Sequence, residues 1–326
     1  MDLSRRGFLV GGAAAFGYAF LGCGLRRERV RGLRLSPEAR AVLQTIPVDA
    51  TGVRFCALGD WGYPNGTLAS VVATLRDTGH AQDADFMLLL GDNFYEDGVR
   101  SARDRRWTTG FERVFPEDSF DMPFYALLGN HDHNRNVAAQ VEYSNESDRW
   151  RMPGFYYKAS FEHGGEPLLD LFCLDTPPMH VGDKSARNQL LWLKQQLASS
   201  RARWRIVAGH HPLLSGGTSG HMAGARDQLA QMLANHRVHA YVSGHDHDLE
   251  LLAAPEGWLQ VVSGSASHPR WVGWTEHSLL ASSEPGYVRI TATPSDLYLE
   301  YVTVDRGPCA TFAHSCLDTL SVLAMR

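Results

Sequence analysis

The stretch FMLLLGDNFY (86–95) is an apolar run that ends at a glycine and continues directly into Asp92 and, three residues later, Tyr95. An apolar run of this length, bounded by glycine, is typical of a buried β-strand. Four further stretches have the same form: VRFCALGD (53–60), FYALLGNHDH (124–133), WRIVAGHHP (204–212) and AYVSGHDH (240–247). Because chelating side chains recur at equivalent positions after five strands, the sequence predicts a metal site at the strand ends.

The chelating groups are carboxylates, a phenol, an amide and imidazoles, without a thiolate. This set suits hard to borderline cations, and a phenolate favours trivalent iron. Seven ligands are too many for one tetrahedral ion and fit two ions that share a bridging carboxylate. Since two-metal centres hydrolyse phosphate esters, the pattern predicts a phosphoesterase. The predicted ligands are Asp60, Asp92, Tyr95, Asn130, His210, His245 and His247.

These motifs, in their order and in their amino-acid sequences, resemble those of the purple acid phosphatases, and most closely those of the small, tartrate-resistant type. The resemblance covers residues 53–265, and a tyrosine three residues after the second aspartate separates this family from its relatives. It extends beyond the ligands into GDNFYEDGV (91–99), GNHDHNRNVAAQVEYS (129–144), RWRMPGFYY (149–157) and ARNQLLWLKQQLA (186–198).

The resemblance implies a role for each predicted ligand. A trivalent iron would be bound by Asp60, Tyr95 and His247, and Asp92 would bridge this iron to a divalent metal. The other ligands of the divalent metal would be Asn130, His210 and His245. This second set accepts Fe, Zn or Mn.

Two further histidines are implied to act on the substrate. His131 follows the ligand Asn130 and would bind the phosphate and donate a proton to the leaving alcohol. The family has a second such histidine after the HxP segment, and His221 is the nearest candidate. The insertion of SGGTSG (215–220) departs from the family spacing. His211 adjoins a ligand, and either a structural role or an influence on substrate choice fits its position.

The other histidines stand in polar or loop-like stretches, where solvent exposure is the usual state. We therefore expect no part in the site for them. They are His80, His163, His180, His236, His239, His268, His277 and His314. Asp132 and Asp246 flank ligands and are expected to orient neighbouring imidazoles.

A short connection also departs from the family. Animal members of the small type have a long loop between the LDT strand and the next helix, and proteolysis there raises activity. Here PPMHVGDKSA (177–186) alone separates LDT (174–176) from that helix. By this resemblance we predict that the chain lacks a repressing loop.

The N-terminus has the form of an export signal. Ser4 to Leu9 reads SRRGFL, which resembles the twin-arginine signal, and an uncharged stretch follows to Gly24. We interpret residues 1–24 as a signal peptide, because this stretch is short and weakly apolar for a spanning helix. Cys23 could be a lipidated cysteine that anchors the mature chain to the membrane; ordinary cleavage is the alternative. The expected location is periplasmic, membrane-anchored facing the periplasm, or secreted.

Composition predicts one catalytic domain, over residues 51–305, after a solvated linker over 25–50. The 326 residues carry a net charge of −5, which gives no reason to expect a nucleic-acid partner. Small phosphate esters fit this balance better, and we expect the chain to be a monomer. In the tail, 306–326, Cys309 and Cys316 are predicted to form a disulfide in an oxidising compartment.

The alternation of apolar strands with helical patterns at Leu68–Arg76, Leu190–Leu197 and Ala225–Asn235 predicts an α/β fold. GYVRITAT (286–293) and LYLEYVTV (297–304) predict a C-terminal antiparallel hairpin. With the resemblance, this implies a four-layer αββα sandwich that carries the metals at one edge of its sheets.

The predicted function is an exported acid phosphatase in which hydroxide generated at an Fe(III)–M(II) pair attacks a phosphate monoester. A phosphodiesterase or nucleotidase is the alternative within the superfamily, because the same centre can attack diesters. An alternative of another class is a redox-active iron protein or a phosphate-binding protein.

Overall fold

The computed structural model describes residues 28–315. The predicted signal peptide, with Cys23, and Cys316 of the predicted disulfide lie outside the described residues, so these interpretations stay predictions. Within 28–315, none of the helices combines the length and apolar character that crossing a membrane requires.

The larger of two mixed sheets has eight strands and a parallel centre. Strands and helices are numbered in chain order. In spatial order its strands are β2 (Leu33–Leu35), β14 (Ser278–Ser282), β11 (Leu249–Ala253), β12 (Leu259–Ser263), β10 (Ala240–Ser243), β9 (Trp204–Ala208), β8 (Glu166–Cys173) and β7 (Tyr157–His163). β8, β9, β10 and β12 are parallel to one another, and the outer pairs are antiparallel. β10 and β12 are buried along their whole length, which explains why their sequences are nearly continuous apolar runs.

The smaller sheet has seven strands. In spatial order they are β17 (Gly307–Ser315), β16 (Asp296–Thr303), β15 (Gly286–Ala292), β3 (Val53–Leu58), β4 (Phe86–Leu89), β5 (Phe124–Ala126) and β6 (Trp150–Arg151). β3 to β6 are parallel, and β15 to β17 continue the sheet in antiparallel pairs. The predicted C-terminal hairpin is confirmed as β15 and β16.

Helices flank these sheets. In α2 (Gly66–Asp77) the side chain of Asn65 caps the N-terminus by accepting from the Leu68 amide, and Leu68, Val71 and Leu75 lie on the buried face. The three predicted helices are confirmed as α2, α6 (Ala186–Ser199) and α7 (Arg226–Asn235). The helices are α1 (Pro37–Ala41), α2 (Gly66–Asp77), α3 (His80–Asp83), α4 (Ala138–Tyr143), α5 (Thr176–His180), α6 (Ala186–Ser199) and α7 (Arg226–Asn235), with a π-helix at Trp107–Glu112 and a 3-10 turn at Asp132–Asn134.

The predicted α/β class is therefore confirmed, whereas the four-layer arrangement stays a prediction. The strands that precede the predicted ligands belong to both sheets: β3, β4 and β5 to the smaller, and β9 and β10 to the larger. The sheets are joined close to these strand ends, where the Gly59 amide donates to the Ser263 carbonyl at 2.8 Å. The site is thus built where the carboxyl ends of strands from two sheets meet.

Part of the predicted linker is integrated into the fold. We call residues 28–35 the N-terminal strap: β1 (Arg29–Val30) pairs with β13 (Val272–Gly273), and β2 pairs with β14. The guanidinium of Arg29 lies 4.4 Å from the ring centroid of Trp271, and that of Arg34 lies 4.3 Å from Trp274. The prediction of a solvated linker does not hold for these residues, because they are paired as strands with β13 and β14 and their basic side chains pack on aromatic rings.

The expectation of solvent exposure also fails for two of the remaining histidines. His80 is buried, and its Nδ1 lies 2.9 Å from the hydroxyl oxygen of Tyr287. His239 is buried, and its Nδ1 accepts from the Arg205 amide. Burial lowers the pKa of His80 to about 4 and that of His239 to about 3, so both are neutral core residues.

Candidate metal centre

The turns that follow the strands place three predicted ligands in an unusual backbone conformation. Asp60, Asp92 and His245 have φ values of 56°, 51° and 69°. Residues other than glycine adopt this left-handed region at a cost of about 1–3 kcal/mol, and such positions cluster at functional sites. The turn lets each side chain point back across the ends of the parallel strands.

Four side chains form the first half of the cluster. The Tyr95 hydroxyl oxygen lies 3.1 Å from Asp60 Oδ1, 2.9 Å from Asp92 Oδ2 and 3.3 Å from His247 Nε2. His247 Nε2 lies 3.4 Å from Asp60 Oδ1. These are the three residues that the resemblance assigns to a trivalent iron, together with the assigned bridge, Asp92.

The second half lies around Asn130. Its Oδ1 is 3.0 Å from His210 Nε2 and 3.1 Å from His245 Nδ1, and these two ring nitrogens are 3.3 Å apart. Asp92 Oδ2 is 3.5 Å from His210 Nε2. The same oxygen of Asp92 therefore faces both halves, and all seven predicted ligands lie in one continuous cluster.

The outer ring nitrogens of two histidines are fixed by the backbone. His210 Nδ1 donates to the Leu90 carbonyl at 2.8 Å, and His247 Nδ1 donates to the His268 carbonyl at 2.8 Å. Each contact orients the ring and leaves the Nε2 lone pair directed at the cluster, which is the state that binds a metal.

Two glycines permit the close packing of the ligand turns. A Cβ on Gly129 would lie 2.1 Å from Asp92 Oδ1, and a Cβ on Gly244 would lie 2.6 Å from Asp60 Oδ2. The glycine before each of these ligand positions is thus required because a neighbouring carboxylate occupies the space of a side chain.

The electrostatics of the cluster fit bound cations. Asp60 and Asp92 are almost fully buried, and within residues 28–315 their ion pairs are made with histidines alone. Burial raises the pKa of Asp60, and burial with the charge of Asp60 raises that of Tyr95, so the charged forms need a compensating charge. Burial alone would raise the pKa of Asp92 too, but the charge of His210 lowers it. Oxygen atoms of Asp60 and Asp92 and a nitrogen of His210 lie within 4.8 Å of one another, as a shared metal site requires.

Asp132 and Asp246 hold the ligand loops in place of the predicted imidazole contacts. Asp132 Oδ2 accepts from the amides of Gly129 at 2.8 Å and Asn93 at 3.1 Å, so it links the loops after β5 and β4. Asp246 Oδ1 accepts from the Ser219 amide at 2.6 Å. Asp246 therefore anchors the loop that precedes His221, next to ligands His245 and His247.

His131 lies at the edge of the cluster, and one of its ring nitrogens is already in a hydrogen bond. Its Nδ1 donates to the Glu96 carbonyl at 2.6 Å, and its amide donates to Asp92 Oδ1 at 2.9 Å. Its ring contacts Tyr95 edge-on, with centroids 4.6 Å apart, and 31% of the side chain is exposed. Nε2 lies 4.0 Å from Asp92 Oδ2, so a protonated His131 ring would form an ion pair with this carboxylate.

His221 is less closely tied to the cluster than His131. It is exposed, and it follows Gly220, whose amide donates to Asp246 Oδ1 at 3.3 Å. The structure thus brings its loop beside the ligands through Asp246.

Sequence reasoning expected no part in the site for His180, but its ring belongs to a row of imidazoles that ends at His245. The rings of His180 and His211 are stacked, with centroids 4.4 Å apart and an interplanar angle of 15°. The ring centroids of His211 and His245 are 4.3 Å apart. His133 Nε2 lies 2.7 Å from Asp175 Oδ1. The short connection after LDT was the available signal, because it keeps His180 close to the strand end.

Comparison with known proteins gives consistent matches. A family model described as calcineurin-like phosphoesterase matches residues 53–249. Tartrate-resistant acid phosphatase type 5 of Sus scrofa is 36% identical over 285 residues, which cover 77% of this chain and 83% of that protein. Purple acid phosphatase 3 of Arabidopsis thaliana is 32% identical, with 72% of this chain and 68% of that protein covered. Among solved structures, GAP50, the anchor in the inner membrane complex of Plasmodium, is similar in fold, with a TM-score of 0.73 and 24% identity over 83% of this chain and 94% of that one.

The two mixed sheets and the ligand cluster at their strand ends define a metallophosphoesterase. The family match covers more than half of the chain, and the curated relatives exceed 30% identity over most of their length. The chain belongs to the calcineurin-like phosphoesterases and, within them, to the purple acid phosphatases of the tartrate-resistant type.

Proposed function

We propose that this protein is an acid phosphatase that hydrolyses small phosphate monoesters at a binuclear Fe(III)–M(II) centre. The observation that carries the proposal is the position of Asp92 Oδ2, which is 2.9 Å from the Tyr95 hydroxyl and 3.5 Å from His210 Nε2. One carboxylate oxygen that faces two ligand sets is suited to bridge two cations.

The residues divide between the two metals as follows. Asp60, Tyr95 and His247 would hold the trivalent iron, since this half contains the phenol. Asn130, His210 and His245 would hold the second metal, which would be Fe, Zn or Mn. When bound, the pair holds the phosphoryl oxygens, supplies hydroxide near neutral pH and stabilises the in-line transition state.

His131 acts on the substrate. Because its Nδ1 proton is committed to the Glu96 carbonyl, a proton gained by the ring resides on Nε2. That N–H binds a phosphate oxygen and passes its proton to the leaving alcohol. His221 is proposed to assist from the loop that Asp246 anchors, in contact with the same phosphate.

The test is the metal content and visible spectrum of the purified protein, followed by hydrolysis of p-nitrophenyl phosphate across pH on the same sample. We expect two metals per chain, a purple tyrosinate–iron band and turnover at acidic pH.

Tyr95→Phe removes the phenolate and should abolish the band while the other six ligands remain. Tyr63→Phe is the matched control, because the Tyr63 ring stacks on Tyr95 at 4.3 Å and its hydroxyl donates to Glu96. A band that persists in Tyr95→Phe would remove Tyr95 from the iron, and active protein with two non-ferric metals would refute the iron assignment.

We also propose export through the twin-arginine pathway, with residues 1–24 as the signal. The pathway carries folded proteins, which suits an enzyme that acquires metals before it crosses the membrane. Arg5→Lys together with Arg6→Lys should retain the full-length chain inside the cell, whereas Arg26→Lys with Arg27→Lys should leave export unchanged. Fractionation of cells that express each variant is the measurement. Equal export of both double variants would contradict the pathway.

Labelling of the exported chain with a radioactive fatty acid tests Cys23 as a lipid attachment site.

A further inference from the structure

The turn that contains His180 is hydrogen-bonded to the loop that follows His221. The Gly224 amide donates to the His180 carbonyl at 2.9 Å, and the Ala225 amide donates to the Met179 carbonyl at 3.1 Å. The Ala223 amide donates to His180 Nδ1 at 3.3 Å. These contacts hold the His180 backbone and fix the direction of its ring.

The His180 ring lies at the outer end of a row of imidazoles. His211 is buried, its Nδ1 lies 3.0 Å from the Thr176 hydroxyl oxygen, and its ring packs between His180 and His245. The centroids of His180 and His245 are 6.4 Å apart. His180 is half-buried, so part of its ring is accessible beside the second-metal half of the cluster.

The contact with the Ala223 amide fixes which ring nitrogen of His180 carries the proton. Because Nδ1 accepts from this amide, the proton of the neutral ring is on Nε2. The ring therefore offers an aromatic surface and one N–H donor.

His180 and His131 lie at opposite halves of the cluster. His131 packs against Tyr95 in the iron half, and His180 reaches His245 in the second-metal half through His211. A phosphate bound at this cluster would thus have His131 near one half and the stacked imidazoles of His180 and His211 near the other.

We propose that His180 contacts the organic group of the substrate and selects phosphate esters of aromatic alcohols over those of alkyl alcohols. This inference rests on the proposed phosphatase function. Stacked or edge-on aromatic pairs add stability beyond the area that they bury, so the aromatic ester gains affinity from the ring and the alkyl ester does not.

Three variants separate the ring from its hydrogen bond. His180→Ala removes both, His180→Asn retains an acceptor for the Ala223 amide, and His180→Phe retains an aromatic ring. The measurement is the ratio of kcat/KM for phenyl phosphate to that for ethyl phosphate in the metal-loaded enzyme. We expect the ratio to fall about three- to tenfold in His180→Ala and His180→Asn, mainly through KM, and to be retained in His180→Phe. Two metals per chain should remain in all three.

The outcomes distinguish this inference from the function on which it rests. If His180→Asn hydrolyses both esters with the wild-type ratio of kcat/KM for phenyl phosphate to that for ethyl phosphate, the aromatic contact is overturned. The proposed phosphatase function stands in that case. A ratio that falls in His180→Phe but not in His180→Asn assigns His180 to the Ala223 hydrogen bond and also overturns it. A metal-loaded wild-type enzyme that hydrolyses neither ester overturns the proposed function, and the inference with it.

Discussion

Replacement of Asp92 by asparagine should lower kcat/KM by about a thousand-fold, because several kcal/mol of transition-state stabilisation depend on the metal pair. Asparagine can still accept the His131 amide at Oδ1, so the turn is retained. What is lost is the charged oxygen that faces Tyr95 and His210. We expect metal analysis to show fewer than two metals per chain.

The thermal unfolding temperature with and without added metal shows whether the loss is local. In wild-type protein, metal should raise this temperature, because it neutralises two buried carboxylates and binds the folded state. In Asp92→Asn the difference should shrink, and the metal-free protein should unfold at or below the wild-type temperature, because the ion pair with His210 that lowers the pKa of Asp92 is lost. Asp227→Asn is the control, because this side chain is 94% exposed on α7. Full activity with two metals in Asp92→Asn would exclude the bridge.

Replacement of His131 by alanine should lower kcat by about 10²- to 10⁴-fold, the usual contribution of a positioned acid. Both metals should remain bound, because the His131 ring contacts the Glu96 carbonyl and Tyr95 without completing the ligand set. Loss of metal in this variant would place His131 among the ligands and refute the assigned role.

The identity of the leaving group makes this prediction specific to proton donation. Alkyl alcohols are poor leaving groups and need a proton, whereas p-nitrophenol leaves readily as its anion. The deficit of His131→Ala should therefore be larger for ethyl phosphate than for p-nitrophenyl phosphate. His163→Ala, on the edge strand β7, is the matched control and should behave as wild type. Equal deficits for the two esters would restrict His131 to phosphate binding.

Much of the fold was predictable because its signals are local. Each ligand strand is a short apolar run that stops at a glycine, and α2, α6 and α7 carry their apolar residues at helical spacing. The predicted ligands could be named for a similar reason, since each lies within six residues after the end of a strand. Their convergence into one cluster depends on the meeting of two sheets, which no single segment encodes.

The missed features are contacts between distant parts of the chain. His180 acquires its place from a ring stack on His211 and from bonds to residues 223–225. His80 is buried because Tyr287, more than 200 residues later, meets its ring. A polar residue in a loop-like stretch gives no local sign of such a partner, so solvent exposure was the expectation for both.

The N-terminal strap sets a limit on how far the chain can be shortened from its N-terminus. Its strand β1 pairs antiparallel with β13, and the Trp274 amide donates to the Glu28 carbonyl at 2.9 Å. The segment that leads into β13 supplies the His268 carbonyl that orients His247, and the Arg270 amide, which donates to the His247 carbonyl at 2.7 Å. A peptidase that trimmed the chain beyond Glu28 would therefore loosen His247, more than 200 residues away. The proposed removal of residues 1–24 would leave the strap intact, so the same contacts limit how far from the N-terminus a cut could fall without disturbing the candidate metal centre.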